Sequence, residues 1–147
     1  MNAAFVLTAA LLIAGLVLSR RVRGPGRAVR WGWWLMAFGA AGLGLAGAFP
    51  ADSNENLHLL GAVLVFGCGN AGLLVAGCAR EGTLPARLRP ATAALGLLGL
   101  AGSVLFLVQQ GMGLGVGGME RVAVFPLPVW ACYAGCSLYL SSRLSRA

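Results

Sequence analysis

The sequence predicts an all-α fold, an integral membrane bundle of five transmembrane helices with the N-terminus outside and the C-terminus in the cytoplasm. Three observations predict it. The chain has 147 residues, of which 59% are hydrophobic and 10% are charged. A soluble domain of that size needs a larger polar surface to stay in water. The apolar residues gather into five runs of about 17 to 23 residues, the length a helix needs to cross a hydrocarbon core of about 30 Å. The arginines between the runs fall on alternate loops. Together the runs make one transmembrane domain over residues 1–147, with spans at 3–19, 31–49, 57–79, 91–109 and 122–140.

Span 3–19 has no basic residue before it, and Arg20 and Arg21 follow it at once. A signal peptide has the reverse charge order, so this reads as a retained helix. A basic loop, 20–30, turns at Gly24-Pro25-Gly26. Span 31–49 opens with Trp31, Trp33 and Trp34, indole rings suited to the headgroup level. A short acidic loop, 50–56, leads into span 57–79. A second basic loop, 80–90, precedes span 91–109, and a glycine-rich loop, 110–121, precedes span 122–140. Pro126 and Pro128 lack the amide that a helix interior uses. Either they lie in the first turn of the last span, where that loss is tolerated, or they break it, giving a kinked or two-part entry near Phe125 to Pro128.

Loops 20–30 and 80–90 and the C-terminal tail hold ten of the eleven arginines and one acid, Glu81. The opposite side holds Arg121 with Asp52, Glu55 and Glu120. The positive-inside rule puts the arginine-rich side in the cytoplasm. The cytoplasmic (inner) membrane of a prokaryote is the expected location. The net charge of +7 is met by anionic lipid headgroups at Arg20, Arg21, Arg23, Arg27 and Arg30. No polar domain presents a basic face, so nucleic acid is not an expected partner.

Twenty-three glycines, mostly within the spans, predict close helix contacts, because lipid gives helices no hydrophobic reason to associate. The expected stripes are Ala40, Gly44, Gly47 and Ala48; Cys68, Gly72 and Ala76; Gly96, Gly99 and Ser103; and Ala131 with Gly135. Asn70, polar in mid-span, is expected to bond to another helix. Cys68, Cys78, Cys132 and Cys136 read as small apolar residues of the spans.

Polar residues that could carry chemistry gather on the outer side. Glu55 and His58 are spaced i, i+3, which puts them on one helix face and makes them candidate metal ligands. His58 and Glu120 are the candidate catalytic acid and base. Asp52, Glu55, Glu120 and Arg121 are the candidate ion-pair residues between outer loops. The simpler expectation for the histidine is a bond to a loop carboxylate or carbonyl. Residues 113–118 (GLGVGG) match a dinucleotide-binding pattern, but that pattern needs a strand-to-helix setting and is rejected here. No acid or base lies in mid-span, which argues against an ion-coupled transporter. The cofactor, if any, is unknown.

Two stretches carry a resemblance. Phe49-Pro50-x-Asp52 is followed by His58-Leu59-Leu60-Gly61-Ala62, and Gly118-x-Glu120-Arg121 by Pro126 and Trp130. Over about residues 31–140 the chain resembles a family of multi-pass bacterial and archaeal membrane proteins, domain of unknown function 998. Family members usually have six helices, so the resemblance implies a shortened N-terminal part here. It implies no reaction, but it points to the same outer cluster of Asp52, His58, Glu120 and Arg121. The leading expectation is a non-enzymatic accessory or assembly subunit, joined to other membrane subunits or to copies of itself in a homo-oligomer. The alternatives are an outer-face membrane enzyme, metal-dependent if Glu55 and His58 take a cation, acting on a lipid or membrane-soluble substrate, and an outward-opening small-molecule or lipid carrier.

Overall fold

The computed structural model describes residues 2–20, 24–80 and 85–144. Arg21, Arg23, Glu81 and Arg146 lie outside them. All regular structure among the described residues is helical. Helix α1 is Asn2–Ser19 and α2 is Arg27–Ala48. Helix α3, Glu55–Val63, runs through a π-turn, Leu64–Gly69, into α4, Asn70–Cys78. A 3₁₀ turn, Ala86–Leu88, leads into α5, Arg89–Leu107. Helix α6 is Val116–Val124 and α7 is Pro126–Leu144.

Three helical segments are long and apolar enough to cross a membrane: Glu55–Cys78, Ala86–Leu107 and Val116–Leu140. Ala3–Ser19 is a shorter apolar helix. Helix α2 has 22 residues, a length of about 33 Å at the α-helical rise. It takes in Arg27 and Arg30, so it starts four residues before the expected span.

The last expected span needs the largest correction. A helix already runs from Val116, so Glu120 and Arg121 are helical residues and not loop residues. The break falls at Phe125, and Pro126 opens α7. Proline is tolerated in a helix's first turn because the amide it lacks has no partner there. The expected two-part start is therefore present, with its first part longer than the sequence suggested.

Helix α2 lies centrally, against α1 on one side and α3, the π-turn and α4 on the other. Helix α5 packs on α4, and α6 packs back on α5. Glycine sets these approaches. A Cβ on Gly72 would lie 2.6 Å from the Met36 amide nitrogen, and one on Gly42 2.6 Å from the Gly61 carbonyl oxygen. The glycines of α2 at the contacts are thus Gly32, Gly39 and Gly42 toward α3, the π-turn and α4, while Gly44 faces Ala9 of α1. The expected stripe of α5 holds, with Gly96, Gly99 and Ser103 all buried. That of α7 holds only in part: Ala131 packs against the core, but a Cβ on Gly135 would meet nothing within 4 Å.

Side-chain bonds show which helix ends are neighbours. Trp33 Nε1 donates to the Leu16 carbonyl (2.9 Å), joining the end of α1 to the start of α2. Arg89 donates to the Gly77 and Cys78 carbonyls at 3.4 and 3.3 Å, supplying positive charge where the dipole of α4 ends. Arg87 donates to Ser137 of α7 (3.2 Å). The arginine-bearing ends thus gather at one end of the bundle, and the acidic loop 50–56 lies at the other.

Candidate functional site

Loop 50–56 is built on Pro50. The Pro50 carbonyl accepts from the Ser53 and Asn54 amides at 2.9 and 3.0 Å and from the Ser53 hydroxyl at 2.9 Å. Asn54 then caps α3, its Oδ1 accepting from the Leu57 amide at 3.1 Å, which satisfies one of the amides left free at a helix start. Glu55 follows as the first residue of α3, where a carboxylate complements the helix dipole. The cap places His58 one turn along, facing the end of α2.

His58 Nδ1 lies 3.3 Å from the Ala46 carbonyl oxygen and 3.2 Å from that of Phe49. Carbonyls only accept, so Nδ1 carries the proton. Nε2 has no protein partner among the described residues. The histidine therefore ties α3 to the last turn of α2, the simpler role expected of it. The two halves of the first motif, Phe49-Pro50 and His58, meet through this bond.

The other expected site residues stay apart. Asp52 is exposed in the turn, and Glu55 is exposed on α3. Glu120 and Arg121 are exposed on α6. Arg121 Nη1 donates to the Gly117 carbonyl of its own helix at 3.1 Å. Among the described residues, no ion pair joins Arg121 to Asp52, Glu55 or Glu120. Nor do three His, Cys, Asp or Glu side chains gather there as a metal ion would need.

Three polar features were not read from the sequence. Thr92, fully buried, donates to the Leu88 carbonyl (2.8 Å) and accepts from Trp130 Nε1 (3.1 Å). The signal was available, since a hydroxyl and an indole in apolar spans each need a partner. Gln109 and Met112 adopt φ of 58° and 45° in the loop before α6, which nothing in their residue types announces. At the opposite end a cleft of about 390 Å³ lies between the start of α2 and the end of α4, with Arg27 and Arg80 among its lining.

Fold and site together define an all-helical membrane protein whose polar groups mainly bond its own backbone. The chain belongs to the family described as protein of unknown function (DUF998), whose sequence model matches residues 1–136. The match begins at residue 1, so it takes in the N-terminal helix that the motif resemblance left out. No curated protein and no solved structure matches the chain.

Proposed function

We propose that this protein is a small non-enzymatic accessory or assembly subunit of a larger complex in the cytoplasmic membrane of a prokaryote. In this reading the chain crosses the bilayer five times as one transmembrane domain. The crossings are α1, α2, α3 with α4, α5, and α6 with α7. The N-terminus is outside and the C-terminus in the cytoplasm. Arginines of the inner end, Arg20, Arg27 and Arg30 among them, meet anionic headgroups. The cleft beside Arg27 and Arg80 suits that contact.

The observation that carries the subunit role is the contrast between a sealed interior and an uncovered last helix. Helices α2, α4 and α5 meet at van der Waals distance through glycine. In the most apolar stretch of Val116–Leu140 only 17% of residues are buried, against 44% for Glu55–Cys78. The uncovered face includes Gly135 and Cys136. Small residues on a membrane helix allow close approach of another helix, and lipid has no need of them. A photoreactive side chain placed at Gly135 in native membranes tests this. One discrete protein adduct is expected; labelling of lipid alone would count against the role.

One observation favours a second reading, an outer-face enzyme acting on a membrane-soluble substrate. His58 donates through Nδ1 and leaves Nε2 open, with Glu55 one turn before it. In that reading Nε2 is the base or ligand atom. Bound metal that disappears in His58→Ala would favour it.

A further inference from the structure

The segment between α5 and α7 combines three unusual features. Val108 to Gly115 reverses the chain with four residues in the left-handed region, Gln109, Met112, Gly113 and Gly115. Helix α6 is only nine residues long. It is cut from α7 by two prolines, which deny the Val122 and Val124 carbonyls their usual donors four residues on. Backbone bonds flank this break, from the Phe125 amide to Arg121 and from the Val129 amide to Phe125, both at 3.0 Å.

The inner end of α6 is fastened from outside. Asn70, 1% exposed, donates through Nδ2 to the Ala123 carbonyl at 2.8 Å and to the Phe66 carbonyl at 3.1 Å. It opens α4 directly after the π-turn, and π-turns recur at functional positions in helices. A Cβ on Gly99 would overlap the Asn70 amide, so α5 leaves that space for it. Gly102 likewise leaves room for Val122. Elsewhere α6 is held by packing: Met119 is buried, and Arg121, in the last turn, bonds only the Gly117 carbonyl of its own helix. The only side-chain hydrogen bond from another element onto α6, among the described residues, is that of Asn70.

We propose that α6 is a hinged strap, pivoting at Phe125–Pro128 and latched by Asn70 onto α4 and α5. Breaking the Asn70–Ala123 bond frees α6 to swing away from α5. That opens the arginine-poor half of the bundle down to the π-turn, where the Phe66 carbonyl and the Ser103 hydroxyl lie. A backbone break buried against neighbouring helices is tolerated at membrane depth, and in transporters broken helices form the site around which one bundle rocks against the other.

Hydrogen exchange of the full-length protein in lipid nanodiscs tests the strap. A single interhelical hydrogen bond in a membrane is worth a roughly threefold to twentyfold change in an opening equilibrium. Asn70→Ala is therefore expected to speed exchange over residues 116–128 by that factor, leaving 27–48 unchanged. Equal acceleration in both regions, or none in 116–128, overturns the proposal. If Asn70→Ala does not fold, Pro126→Ala decides alone. It restores a donor for the Val122 carbonyl, stiffens the hinge and should slow exchange over 116–124. Unchanged or faster exchange there in Pro126→Ala overturns the proposal.

Discussion

Replacing Gly72 with alanine separates α2 from α4. The added Cβ would lie 2.6 Å from the Met36 nitrogen and 2.9 Å from the Gly32 carbonyl oxygen. Ordinary contact begins at 3.4 Å, so the helices must part by about 0.8 Å. A gap of that size costs each facing atom pair about a quarter to a half of its attraction. Backbone atoms cannot turn aside as a side chain can. Overpacking of this kind costs about 1–3 kcal/mol, and a value near 2 kcal/mol lowers the folded-to-unfolded ratio roughly thirtyfold. Gly135→Ala is the internal control. Its Cβ meets nothing within 4 Å, and it gains about 0.5–1 kcal/mol from helix propensity alone. The assay is reversible unfolding in mixed micelles, with both variants measured against wild type. Equal stability of the two variants would refute the argument that glycine sets the α2–α4 distance.

Other perturbations should read out single bonds. His58→Ala removes the tie to the Ala46 and Phe49 carbonyls and should cost about 1 kcal/mol in the same unfolding assay. Thr92→Val keeps the shape but leaves Trp130 Nε1 without its acceptor, at a cost of about 0.6–1.7 kcal/mol. Tryptophan fluorescence should report the changed surroundings of that ring. For topology, single cysteines in a background lacking the native ones should react with an impermeant reagent added outside at Asp52, and at Arg87 only after the membrane is opened. Labelling of Arg87 from outside would reverse the orientation.

Much of the fold was legible because lipid imposes simple rules. Apolar length pointed to an all-helical chain with segments long enough to cross a membrane, which Glu55–Cys78, Ala86–Leu107 and Val116–Leu140 are, though the last begins six residues before the expected span. Asn70 had to find a partner on another helix, and it did. Pro126 and Pro128 announced the break. The π-turn was not legible, since the apolar run Leu64–Gly69 looks the same with bonds to the fourth or the fifth residue. The stripe of α2 was only partly located, with Ala40 and Gly47 buried as expected, because that helix has two partners. Gly44 serves α1, while Gly32, Gly39 and Gly42 serve α3, the π-turn and α4, and periodicity alone does not say which neighbour a glycine faces. At the candidate site, the sequence led to the expectation of one outer cluster of Asp52, His58, Glu120 and Arg121. It did not show that the Ala46 and Phe49 carbonyls would occupy His58. Nor did it show that Arg121 would bond its own helix, because backbone acceptors leave no mark in residue type.

The most direct test of the subunit role is purification in mild detergent from the native membrane, with mass spectrometry of everything bound, metals and lipids included. The account predicts a reproducible set of partner proteins, lost when the exposed face of α7 is altered at Gly135. A lone protein carrying a metal or one specific lipid would contradict it and move the function to the neighbourhood of His58.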